Sequence, residues 1–448
     1  MACTFDKNRV SKEELDEMKK KLEFVSEKTN TYMSNPYSKT KKKEKPIPMY
    51  FVQKNTVTFP LLAWSAFFNE IPNKNNLYSV TSIVFTGTLR ENQVSVTEEC
   101  LEQLTTYGTT IVGLYPGFGK TVIGGKLCSF FPYRVVVLVH REVLTTQWKK
   151  SFEDNTNAKV FIVPLSKEPV DIDPSYNVII CMVGRVKSMK QRDRDDMGFL
   201  IIDEAHAFCT PEHAPFLLWF HPQYVLVETA TLMRDDGMEK VIYSISGTHG
   251  VYRDSKKPFI VYKVETGIKA KRFFTKQGKV NYSRLVSDTL LQDRRDAQLL
   301  PILEKEKGNK ILVLTSLTEH VDILNNLFLE KGYNSDSYSG KKKSYIDKDI
   351  LVGTISKIGT GFDPANACKT YDGRPFRVLI LMCSIKKYAL LVQVFGRIFR
   401  DDFPVVYYFV DADGIFENHW TKSSRWILLH EGKIINYKES KKMKNQKD

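Results

Sequence analysis

From Leu89 onward, short apolar runs alternate with amphipathic helical stretches, the pattern of α/β layers built on parallel sheets. Ile111–Leu114, Arg134–His140, Val178–Met182, Phe199–Ile202 and Tyr224–Val227 are read as buried strands. A second set follows at Lys310–Leu314, Ile350–Val352, Val378–Met382 and Val405–Val410. Between the sets, Thr266–Ser283 is rich in Lys and Arg and poor in apolar periodicity, so it is read as a basic connection able to fold as a hairpin. Upstream, Ser11-Lys12-Glu13-Glu14 reads as a capping box that starts a helix with Leu15, Met18, Leu22 and Val25 on one face. That helix is read as docked on the body, with partner binding as the alternative. Alternating apolar residues over Tyr50–Leu62, with Pro60 inside, predict a small strand-rich module. Lys39–Lys45 reads as a basic linker, and Lys433–Asp448 as a Lys-rich disordered tail. The domain boundaries that follow are 1–88 for an accessory module, 89–265 and 284–430 for two α/β domains, 266–283 for the connection and 431–448 for the tail.

Composition narrows the partner. The 448 residues carry a formal net charge of +14, which points to a polyanion but does not separate nucleic acid from an anionic membrane. No apolar run approaches the roughly 18 residues of a membrane span, and no signal peptide is read at the N-terminus. Seven scattered cysteines, with no Cys-x-x-Cys pair and no His at zinc spacing, predict a reducing compartment and no structural metal.

Two motifs supply the chemistry. Pro-Gly-Phe-Gly-Lys-Thr (116–121) follows one predicted strand and precedes a helix. Gly117 and Gly119 would let backbone N–H groups close around phosphate oxygens, at a helix N-terminus that favours anions. Lys120 would reach the β/γ phosphates, and the Thr121 hydroxyl would ligate Mg²⁺. Asp203-Glu204-Ala205-His206 ends a second buried strand, placing Asp203 to hold Mg²⁺ and Glu204 to orient and deprotonate the attacking water. Far downstream, Gln393-Val-Phe-Gly-Arg397-Ile-Phe-Arg400 sets two arginines one helical turn apart, able to stabilise charge on a transferring phosphoryl group if a second domain brings them to it. Their order along the chain predicts an ATP-driven nucleic-acid motor.

Together these residues resemble a superfamily 2 helicase core over about Leu89–Asp411. The Arg-Glu-x-Leu-x-x-Gln-Trp run (141–148) and Gly-Thr-Gly-Phe-Asp (359–363) are similar to the XPB-related, DNA-translocating branch of the DEAH-box helicases. Thr231–Lys240 resembles the poxvirus-type helicases of large DNA viruses. The resemblance implies an α/β fold of two tandem RecA-like parallel-sheet domains beside a small N-terminal α+β module. It implies ATP and Mg²⁺ as cofactors and an activity of 3′-to-5′ DNA translocation or unwinding in viral transcript release or repair. DNA is the expected track, single-stranded or duplex, with RNA as an alternative. The viral transcription or repair machinery is the expected partner, no membrane is expected, and infected-cell cytoplasm or virion is the expected location. By the same resemblance, Gln93 reads adenine, while Gln393, Arg397 and Arg400 join Lys120, Asp203 and Glu204 in catalysis. His140, Arg141, Gln147, Arg185, Ser188, Ser316, Thr354 and Lys357 contact the nucleic-acid backbone. His206, Thr229, Thr231, Gly361 and Asp363 couple the two activities. Three departures stand out: Pro116 stands in the phosphate loop where Thr or Cys is usual, Glu228 occupies a place often held by a small residue, and no Arg-Glu-Asp unwinding triplet is present. The competing class is a non-catalytic clamp or scaffold in a transcription complex, which would need none of the ATPase groups.

Overall fold

The computed structural model describes residues 2–27, 46–68, 78–230, 234, 236–255, 257–275, 278, 280–359 and 361–438. The basic linker 39–45, the tail from 439, Thr231 and Thr360 lie outside the described residues. The chain divides into two compact units: Met1–Leu114 with Phe118–Arg253, and Tyr115–Gly117 with Asp254–Asp448.

Each unit is built on a seven-stranded sheet whose pairings are all parallel. In the first, the strand order is 250–253, 109–114, 224–229, 199–203, 135–139, 178–182 and 160–162. The central strands Val135–Val139 and Phe199–Asp203 are buried along their whole length, as strands covered by helices on both faces must be. Gly124 sits where the helix Lys120–Cys128 presses closest to its neighbours. A Cβ there would lie 2.9 Å from the Trp148 ring and 3.0 Å from Glu228 Oε1.

The second sheet runs 335–338, 350–354, 311–315, 378–381, 405–410, 259–265 and 432–436. Two of these strands depart from the sequence reading. Phe259–Glu265 pairs with Val405–Val410 in the second unit, although the boundary at 265 assigns it to the first. Gly432–Asn436 pairs beside it, where a disordered tail is expected. Both are placed by pairing with distant strands, which local periodicity does not register.

The N-terminal residues form an antiparallel sheet of Ala2–Asp6, Thr56–Pro60 and Phe51–Val52, with the capped helix Lys12–Lys21 against it. Ser11 Oγ accepts from Glu14 N–H, and the Glu14 carboxylate accepts from Ser11 N–H at 2.7 Å, completing the capping box. Met18 and Leu22 are buried with Phe5, Val57 and Phe59, so the helix is docked on the N-terminal sheet. Val25 lies past the helix end and is 55% exposed.

Candidate ATPase and nucleic-acid site

The strand Thr109–Leu114 ends in a loop where Gly117 and Gly119 take φ of +89° and +101°, and the helix Lys120–Cys128 follows. These are left-handed conformations that glycine adopts without steric penalty, and a turn of this kind can gather backbone N–H groups around an anion. Lys120 is the first helical residue, and its Nζ reaches Leu114 O at 3.4 Å, at the long limit of a hydrogen bond. Thr121 follows, half-buried.

Gln93 is buried under this loop. Its Nε2 donates to Phe118 O at 2.8 Å and its Oε1 accepts from Arg90 N–H at 2.8 Å. Both ends of the amide are therefore engaged with backbone. These bonds brace the phosphate loop, and they leave the amide one further N–H and one further lone pair.

Two strands over, Phe199–Asp203 delivers Asp203, 5% exposed, with Oδ2 accepting from Trp148 Nε1 at 2.8 Å. Burial, reinforced by the charge of Glu204, holds the Asp203 carboxyl above the usual carboxylate range. The Trp148 bond and the charge of Lys120 pull it back. Glu204 adopts φ +51° and ψ +53°, one of two described non-glycine residues in left-handed backbone. Such a conformation is strained by about 1–2 kcal/mol. It turns the chain so that the Glu204 carboxylate comes within 3.4 Å of His206 Nδ1. That same nitrogen lies 3.4 Å from Thr229 Oγ1, linking the acidic turn to the end of the neighbouring strand Tyr224–Thr229.

Two residues near this centre were not singled out as functional from the sequence. Trp148, fully buried, packs against the phosphate-loop helix and hydrogen-bonds Asp203; the sequence reading placed it only within the Arg-Glu-x-Leu-x-x-Gln-Trp run. Glu228 stands in register with Asp203 on the adjacent strand and is fully buried. No described donor reaches either of its carboxylate oxygens, and burial beside Asp203 raises its pKa well above the ordinary value. Its sequence signal was that it stands, right after the apolar run Tyr224–Val227, where a small residue is usual.

The expected backbone contacts divide. Arg141 caps the helix Glu142–Asn155, and Gln147 lies half-buried on it. His140 is turned inward, its ring centroid 6.5 Å from that of His206, and burial pushes its pKa down to about 4. Arg185 is closed into an ion pair with Glu142 and donates to Val163 O at 3.2 Å. Ser188 is 4% exposed and its hydroxyl donates to Ser166 O, which removes it from any exposed track.

In the second unit Ser316 is exposed at the end of the strand Ile311–Thr315. Thr354, by contrast, is buried and accepts from Ser356 Oγ at 3.3 Å, so it too departs from the expected surface role. Lys357 Nζ donates to Gly340 O at 3.1 Å and lies over the Tyr338 ring. Gly361 takes φ +70°. Arg397 donates to Phe362 O at 2.6 Å and Gly359 O at 3.0 Å, bracing that loop, and Arg400 pairs with Asp363 at 3.4 Å. Gln393 is buried on the helix Tyr388–Phe395.

Comparison with known proteins agrees with this geometry. Residues 86–234 match the family model described as "Type III restriction enzyme, res subunit". "Putative helicase 161L" of Invertebrate iridescent virus 6 is 26% identical over 82% of this chain and 87% of its own length. Transcript termination protein A18 of Fowlpox virus is 23% identical over 70% of this chain and 71% of its own. Among solved structures, S. cerevisiae Dbp5 bound to RNA and ADP BeF3 has a TM-score of 0.54 at 12% identity, covering 79% of this chain and 93% of that one. That likeness is one of fold, the tandem RecA-like arrangement.

Proposed function

The chain belongs to the superfamily 2 helicases, and from that premise we propose that it is an ATP-driven motor on DNA, acting in viral transcript release. The observation that carries this reading is the convergence of Lys120, Asp203 and Glu204 at the ends of two parallel strands, with His206 joining them to Thr229. Backbone N–H groups of residues 117–121 and Lys120 hold the β and γ phosphates. Glu204 orients the attacking water and accepts its proton. The role assigned to Arg400 is to stabilise charge on the transferring phosphoryl group, and that of Arg397 to brace the loop at Gly359 and Phe362.

The residues fit Mg²⁺. Thr121 and Asp203 supply a hydroxyl and one carboxylate, while no group of three His, Cys, Asp or Glu among the described residues forms a dedicated metal cage. Sparse protein ligation of this kind suits Mg²⁺, which keeps waters and substrate phosphate as its remaining ligands. Bound there, it would neutralise charge developing on the phosphates.

Trp148 acts as a positioning residue through Asp203. Trp148→Phe removes the indole donor that favours the ionised carboxylate, so Asp203 should hold its proton to higher pH. The Mg²⁺ concentration for half-maximal turnover is expected to rise about 10–100-fold, and the pH profile to move alkaline. A Mg²⁺ titration that overlays wild type, from a variant with an intact melt, excludes that role.

The reading itself is tested by ATP hydrolysis with no polymer, single-stranded DNA, duplex DNA and RNA. Stimulation by DNA above RNA supports a DNA motor, and stimulation by RNA alone replaces the track. Folded protein with no hydrolysis under any condition supports the scaffold class. No helix among the described residues is long and apolar enough to cross a membrane.

A further inference from the structure

The C-terminal ends of parallel strands are where α/β sheets place ligands. In the second unit they border a cavity of about 220 Å³ that the proposed ATP chemistry does not use. Strands Val378–Leu381 and Val405–Val410 lead into it through Ser384 and Asp411, and the helix Tyr282–Leu290 closes the other side. Its size is below the ~300 Å³ of common ligand pockets, so it suits a planar ring rather than a whole nucleotide.

The chemistry of the lining is divided. Val286, Leu290 and Phe416 are apolar walls. Asp411 is 4% exposed, and its Oδ1 accepts from Thr266 Oγ1 at 2.7 Å and from the fully buried Arg295. No described donor reaches Asp411 Oδ2, and a carboxylate is acceptor-only, so the cavity offers an acceptor that calls for an N–H group. Ser384 Oγ is 2.9 Å from His419 Nδ1, and burial pushes His419 down to about 4, so the ring is neutral at pH 7.

The approach is basic and aromatic. Just before Tyr282, Phe274 bridges Val280 in antiparallel fashion and Asn281 N–H donates to Phe273 O at 2.7 Å. Arg284 lies 4.3 Å from the Phe273 ring centroid with Lys271 nearby, and Phe274 is 64% exposed. Cations interleaved with aromatic faces guide a single strand by its phosphates and receive its bases by stacking.

We propose that this cavity takes one unstacked nucleobase of the bound strand, an N–H edge of the base on Asp411 and Ser384 and its faces against Phe416 and Val286. The proposal rests on the nucleic-acid-motor reading above. It adds to the backbone grip a subsite that receives one base, with an N–H donor of that base facing Asp411.

The test uses the full chain and single-stranded DNA oligonucleotides carrying one 2-aminopurine, moved stepwise along the sequence. One position is expected to change fluorescence apart from its neighbours. An abasic site at that position should weaken wild-type binding about tenfold. Val286→Phe fills the cavity and should remove both effects. Ser384→Ala, a milder change, should shrink the abasic penalty at that position without removing it. Equal response at every position, or an abasic penalty that persists in folded Val286→Phe, overturns the pocket while leaving polymer binding intact. Wild-type protein that binds no oligonucleotide overturns the motor reading and the pocket together.

Discussion

Lys120→Ala is expected to lower ATP turnover by at least about 100-fold while leaving nucleic-acid affinity unchanged. Lys120 opens the helix Lys120–Cys128, and its Nζ makes the long contact with Leu114 O at 3.4 Å. A phosphate would replace that contact with a charge-assisted one, so the interaction lost in the variant is made chiefly with ATP. The side chain also has a second role. Its charge holds down the pKa values of Asp203 and Glu228, both buried, so its removal leaves two carboxyls less compensated. A modest fall in melting temperature is therefore expected in the nucleotide-free variant, of roughly a few degrees. Hydrolysis assays, polymer binding and a melt on the same preparation separate these effects. Parallel loss of turnover and polymer binding, in a variant with a normal melt, counts against the phosphate role.

The parts of this centre legible in sequence are those where chemistry and local structure coincide. Strands buried on both faces read as continuous apolar runs, which is why Val178–Met182 and Val405–Val410 have the same limits in sequence and structure. Glycines before a Lys-Thr pair, and two acids after such a run, mark strand ends directly. Where a partner is chosen by packing, the sequence is silent. Trp148 meets Asp203 because the helix Glu142–Asn155 lies against the sheet, and Glu228 meets Asp203 through strand register. Ser188 and Thr354 show the converse. A hydroxyl near a basic residue looks alike in sequence whether it faces solvent or turns inward, and these two are themselves buried and engaged with neighbours. The short edge strands Val160–Ile162 and Gly250–Arg253 had too few residues to carry a period.

Glu204→Gln is expected to bind ATP with near-normal affinity and to turn it over about 10²–10⁴-fold more slowly, trapping the nucleotide. The backbone makes this substitution informative. Glu204 sits at φ +51°, where the strain comes from the Cβ, and glutamine carries the same Cβ with nearly the same shape. The turn should therefore persist, and with it the positions of Asp203 and His206, so the change is confined to the loss of a proton acceptor. The His206 contact gives a further readout. Glu204 lies 3.4 Å from His206 Nδ1, and His206 bridges to Thr229, so removing the carboxylate charge also weakens the link expected to report nucleotide state to the polymer. Stimulation of the residual turnover by nucleic acid should accordingly shrink along with the rate. Bound nucleotide recovered from the variant should be ATP, where wild type yields ADP. Wild-type turnover in Glu204→Gln removes the residue from catalysis. Slow turnover with full polymer stimulation keeps Glu204 as the base and removes the His206 bridge from the coupling path.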